Sequence, residues 1–214
     1  MESLKFTLIA DGSSDKALIN IIKWILNDLY PKLPIEGIFA DFRKVPNPSP
    51  KEDIVEQIKF AEKLYPFDIL FFHRDAESDK KNILDERKNE ILETIEKEYS
   101  TKIICVIPIV MMETWLLIDE IAIKKAAGNR NYREKINLPA INNLEKLKEP
   151  KELMHNLLRE ISGLKKRNLK SFNVNAAVHL VSENINDFSP LRKLNSFVSF
   201  ENDLKKVMND LYKL

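Results

Sequence analysis

Glycine and cysteine are scarce in this chain, with four and one respectively among 214 residues. The single thiol, Cys105, excludes a disulfide within the chain and lies in the apolar run KIICVIPIV with no nearby activating group. A buried core thiol and a reducing cytoplasm follow as expectations. The few glycines form no GxxxxGK, which excludes a P-loop nucleotide hydrolase. His73, His155 and His179 are the only histidines and none stands at metal-ligand spacing, so a zinc centre has no support. No run approaches the roughly 18 apolar residues of a membrane span. The opening MESLKFTLIADG is too short in apolar length for a signal peptide. Charge of one sign is not in excess either: 34 Lys and Arg face 33 Asp and Glu, a net +1. Any attraction to nucleic acid must therefore come from local patches, and no membrane association is expected.

What the chain does have is alternation. With 44% hydrophobic residues it can bury a core of one ordinary domain, or one core with a smaller appendage. Strand-like runs at 4–10, 35–45, 68–73 and 102–110 alternate with helical patterns at 15–29, about 50–65, 80–99 and 113–125. In the first helix Leu18, Ile21, Ile22, Ile25, Leu26 and Leu29 fall at helical spacing. The second has a start signal in Ser49, Pro50 and Glu52, read as a capping box. Four strand–helix units predict an α/β fold with a parallel sheet of about four strands flanked by helices. Beyond residue 126 strands vanish, and helices are expected at 151–161, 173–182 and 200–212. Residues 1–126 thus read as the α/β core and 127–214 as a helical appendage packed on it.

The most informative stretch is DILFFHRDAESD, an apolar run that stops at Asp75, Glu77 and Asp79. Such a run suits a strand buried on both faces, and carboxylates two residues apart just past it lean to one side. Crowded acids repel unless a cation, a proton or a basic side chain joins them, and Mg²⁺ is held by one or two carboxylates plus phosphate oxygens. Ligands of open parallel sheets bind beyond the carboxyl ends of the strands. Asp11 after the first strand, Asp75 and Glu77 after the third and Glu113 after the fourth would converge there.

Each has a structural alternative. Asp11 before Gly12 suits a turn, Asp15 and Glu113 suit first helical turns, and the acids at 75–79 suit a polar loop. Arg74 can pair with a carboxylate or a substrate phosphate. In METWLLID, Trp115 reads as core, and Asp119, one turn on, must be exposed or paired. Arg130, Arg133, Lys135, Lys165, Lys166, Arg167 and Lys170 make the later region basic, either as a solvated face or as a phosphate-binding surface.

In order and spacing, LIADGSSD, HRDAESD, METWLLID and NSFVSFENDL resemble the Toprim (topoisomerase–primase) pattern, and more closely a Toprim-like bacterial family of unknown function. The pattern has Glu at the end of the first strand and DxD after a later one; here those positions hold Asp11 and Asp75-x-Glu77. The resemblance implies Mg²⁺-dependent phosphodiester hydrolysis (Mn²⁺ being an alternative), with nucleic acid as substrate, and in some members defence against phage. It assigns Asp75 and Glu77 to the metal with Glu113 in support, and Asp11 to the attacking water. Lys16, Arg74 and Arg130 then serve as phosphate-neutralising candidates. A silent module binding a nucleotide, nucleic acid or protein, and a phosphatase on the same site, remain open alternatives.

Overall fold

The computed structural model describes residues 3–12, 14–44, 53–95 and 102–212. The fold is α/β. Four parallel strands, β1 (Leu4–Ile9), β2 (Ile35–Phe39), β3 (Ile69–His73) and β4 (Ile103–Val106), lie in the order β2-β1-β3-β4. β1 is central, pairing Leu8 with Phe39 on one side and with Phe71 on the other. β3 is buried at every position, as its unbroken apolar run predicts. β2 is half-exposed and accepts the Phe6 ring where Gly37 has no side chain, a place that a Cβ would fill.

Helices cover both faces. α2 (Ile54–Leu64) and α3 (Ile83–Leu92) close over Leu70, Phe72 and Cys105. Burial pushes the Cys105 thiol up to about 12, so it is an unreactive core group. The other face takes α1 (Leu18–Leu29), α4 (Glu120–Ala126), α5 (Pro150–Ser162), α7 (Val174–Asn184) and α8 (Asn195–Tyr212), with the short α6 (Lys166–Lys170) outside the core. One buried cluster runs from Leu4 and Phe71 through Trp115 to Leu158, Phe188 and Leu204. Position 126 therefore marks a change of secondary structure within a shared core.

At the centre of that core two quoted motifs meet. Trp115 stacks edge-on against Phe197 at 5.3 Å and tilts against Phe200 at 5.9 Å. Its indole N–H donates to Ser196 Oγ at 3.0 Å, and that hydroxyl donates to Glu145. A buried indole needs such a partner, and Ser196 supplies it at the start of α8.

Several expected boundaries change. β2 stops at Phe39, before a short 3₁₀ turn at Phe42–Lys44, and Val45 lies outside the described residues. The capping box at Ser49, Pro50 and Glu52 also lies outside them; the cap described for α2 is Asp53, whose carboxylate accepts from Val55 and Glu56. The helix expected at 80–99 is described only as α3, and Tyr99 falls outside the described residues.

The helix expected at 113–125 is two elements, a 3₁₀ turn at Met112–Trp115 and then α4. Asp119 is the N-cap of α4 and accepts from Ile121 and Ala122, so it does not share a helix face with Trp115. The run 112–117 is buried at every position, which gives no helical period to keep the turn winding. Among the described residues no helix is long and apolar enough to cross a membrane.

Candidate functional site

The chain passes from β1 outward to β2 and then crosses back over β1 to β3, which makes the carboxyl ends of β1 and β3 the topological switch point. A cavity of about 500 Å³ opens there. The loops after these two strands line it with Asp11, Asp15, His73, Arg74, Asp75 and Glu77, and Arg87 of α3 and Lys151 of α5 join them.

Backbone bonding fixes this rim. Past β3 the chain stays tied to the loop after β4, with Arg74 N–H donating to Val106 O, Ala76 N–H to Pro108 O and Glu77 N–H to Val110 O. Glu77 and Val110 both have positive φ, 57° and 65°, although neither is glycine. A β-branched residue in that region is uncommon, and strain of this kind gathers at ligand sites. Asp75 Oδ1 accepts from Met112 N–H at 2.8 Å and thereby ties the third loop to the fourth.

After β1, Asp15 folds back: its Oδ2 accepts from Gly12 N–H at 2.8 Å, and Ser14 donates to Oδ1. It sits in a 3₁₀ turn, Ser14–Ala17, that precedes α1 and is nearly buried. Asp15 is expected as a first-turn acid, yet the turn aims it at the cavity. Its signal was the Asp-Gly-Ser-Ser before it, which permits a carboxylate to reach back to its own turn.

His73 stands between the acids. Its Nδ1 lies 2.9 Å from Val106 O, a carbonyl that can only accept, so Nδ1 carries the hydrogen. Nε2 then faces Asp75 Oδ1 at 3.5 Å and Asp15 Oδ2 at 3.9 Å. Nε2 thus meets two carboxylates at once, an arrangement that a proton or a metal ion would bridge. Burial holds the Asp75 carboxyl above its ordinary range; His73 and the Met112 N–H pull it down, and Asp15 pushes it up. Glu113 is buried at 3% exposure and its carboxyl is likewise raised, first by burial, with Lys151 acting against this.

The expected residues divide. Asp11, Arg74 and Asp75 line the cavity. Glu77 lines it too, but its side chain is 72% exposed and lies 3.9 Å from Arg87. The left-handed backbone at Glu77 breaks the alternation that would have brought it beside Asp75. Glu113 is in the core wall and is not among the lining residues. The trio Asp75, Glu77 and Glu113 therefore does not assemble: among the described residues no three His, Cys, Asp or Glu side chains are gathered to hold a metal. Asp15 and Asp75 are the carboxylates that meet at His73 Nε2.

Of the phosphate-binding candidates, Lys16 lines a separate hollow and Arg130 is exposed away from the cavity. Lys151 replaces them, from the first turn of α5, where Pro150 starts the helix. No local signal marked it, because it reaches the site from 76 positions beyond Asp75. Neither the Arg74 guanidinium nor the Lys151 ammonium makes a side-chain hydrogen bond or close ion pair among the described residues, whereas Arg87 is engaged by Glu90 at 2.8 Å. No protein-family model, curated protein or solved structure matches this chain.

Proposed function

We propose that this cavity hydrolyses phosphodiesters with Mg²⁺, or with Mn²⁺ in its place, and that the protein is a nuclease. The observation that carries this reading is the convergence of His73 Nε2 with the Asp15 and Asp75 carboxylates, at 3.9 and 3.5 Å, beside two cations that have no close carboxylate partner of their own. Carboxylates and cations that face one hollow without closing into direct Lys or Arg ion pairs suit a ligand that brings both charges, a metal-bound phosphate.

Mg²⁺ keeps several waters and takes only one or two protein carboxylates when phosphate supplies the rest. The donor set here fits that mode, with Asp15 and Asp75 as the holders and Glu77 and Glu113 outside it. Bound there, the metal would polarise a phosphoryl oxygen and lower the pKa of its water. Asp11, exposed at the rim, positions or deprotonates the attacking water. Arg74 offers a planar fork to phosphate oxygens, and Lys151 a mobile charge for the developing negative charge. His73, held through Nδ1, keeps the two carboxylates apart before the ligand arrives. The Toprim resemblance supports the same reading, since two of its acid positions, Asp11 and Asp75, line the cavity.

Mg²⁺-dependent release of product from labelled DNA and RNA, and from bis(p-nitrophenyl) phosphate, tests the proposal. Asp15→Asn and Asp75→Asn should each lower it by roughly 10²–10³-fold, and cleavage at the native rate in both variants would overturn it. A second reading, a silent module that binds nucleotide, nucleic acid or protein through the same cavity, is favoured by Glu77 turning toward Arg87. Metal binding without turnover on any phosphodiester would select it.

A further inference from the structure

The turn Ser14–Ala17 separates two hollows, with Asp15 on the acidic side and Lys16 on the other. The second hollow, of about 430 Å³, opens between α1, α7 and β2, which among the described residues has a strand neighbour on one side only. Its charges are unequal in kind. Arg43 is clamped by Asp41 at 2.7 and 2.9 Å, and His179 faces Glu183 at 3.2 Å. The Lys16 and Lys23 ammonium groups make no hydrogen bond or ion pair among the described residues. Between these two lysines and the strand lies the half-buried Phe39 ring; Ile38, 44% exposed, turns to the other face of the strand and meets the hollow at its edge.

We propose that this hollow is a subsite for single-stranded nucleic acid. Lys16 and Lys23 meet backbone phosphates, an unstacked base lies against the Phe39 ring, and the strand continues across the turn toward Asp15. The chemistry required is a chain of anions carrying flat apolar groups, which a single strand supplies and a paired duplex hides. An acidic peptide would satisfy the lysines but not the adjoining cavity, whose own carboxylates need a ligand that carries a cation. The passage into the acidic cavity rests on the phosphodiester reading above, while the affinity of the hollow for a single strand does not.

Fluorescence anisotropy of a labelled thymidine oligonucleotide, titrated in EDTA so that nothing is cleaved, reads the subsite directly. Lys16→Gln with Lys23→Gln should weaken binding at least tenfold. The slope of log affinity against log salt should fall by about 1.4, at roughly 0.7 per phosphate contact. Lys23→Gln alone should give about half that slope change, a readout that stands if the double variant unfolds. Asp75→Asn should leave oligonucleotide affinity undiminished. An unchanged affinity and slope would overturn the proposal, as would equal losses for duplex DNA, or displacement by an acidic peptide as effective as that by a second oligonucleotide. The expected loss with no hydrolysis by the native protein would uphold the subsite and fail the nuclease; hydrolysis of bis(p-nitrophenyl) phosphate with unaltered oligonucleotide binding would do the reverse.

Discussion

Glu201 and Asp75 are both carboxylates drawn out of solvent, and their surroundings treat them oppositely. The Glu201 side chain is the less exposed, 9% against 29%. Burial would raise its pKa, but Arg192 Nε at 2.9 Å and Lys205 Nζ at 2.8 Å overcome this and hold it below the ordinary range. Arg192 also reaches Asp28 at 2.6 Å and lies over the Trp24 ring, so the cluster closes on itself. Asp75 has one backbone N–H, a histidine 3.5 Å away and a second acid nearby, and its carboxyl is raised. Burial raises Asp75 first, and it lacks the direct cationic partners with which Arg192 and Lys205 offset burial at Glu201.

The sharpest way to break the comparison is to neutralise each acid in turn. Asp75→Asn should cost on the order of 10²–10³ in the rate of phosphodiester hydrolysis, the scale of one lost electrostatic contact in a transition state. Its melting temperature should hold or rise, because a carboxylate is removed from beside Asp15. Glu201→Gln should do the opposite, leaving hydrolysis within a few-fold and destabilising the fold by about 2 kcal/mol, the size of a hydrogen bond to a charged group. Denaturant titration and initial rates on the same two proteins check both. A variant of either kind that lost activity and stability together would dissolve the distinction.

The pH dependence carries the same contrast. The native state favours ionised Glu201, so its contribution is present above the ordinary carboxylate range and is lost as pH falls through its lowered value. Glu113 is raised, first by burial, so the native state favours its neutral form. Its stabilising contribution is full below the ordinary value and fades as pH rises through the raised one. Glu113→Gln should therefore gain up to about 1 kcal/mol at neutral pH. It should also flatten the stability curve between the ordinary carboxylate range and neutrality, as followed by thermal melts. Glu77→Ala is the smallest expected effect, under roughly threefold in rate, since its side chain is 72% exposed and faces Arg87.

The acids that the sequence exposed were those set by strand ends. Asp11 and Asp75 follow runs whose burial fixes where the strand stops, and the parallel order of the sheet brings those ends together. Glu77 was misjudged because two-residue alternation holds only while the backbone stays extended, and here φ turns to 57°. Asp15 looked like a helix-start acid because charge type alone does not say whether a turn points its side chain inward or along the axis. Lys151 was invisible for a different reason. Its place depends on α5 packing against the Met112–Trp115 turn, a tertiary fact with no local pattern. The fully buried run 112–117 likewise carried no period to separate a 3₁₀ turn from a helix.

Anomalous diffraction from crystals soaked in Mn²⁺ and inorganic phosphate tests the central claim most directly. A peak within about 2.2 Å of carboxylate oxygens of both Asp15 and Asp75, with phosphate reaching Arg74 or Lys151 and no peak in Asp75→Asn, is the result expected. An empty cavity in which His73 Nε2 still lies between the two acids would contradict it.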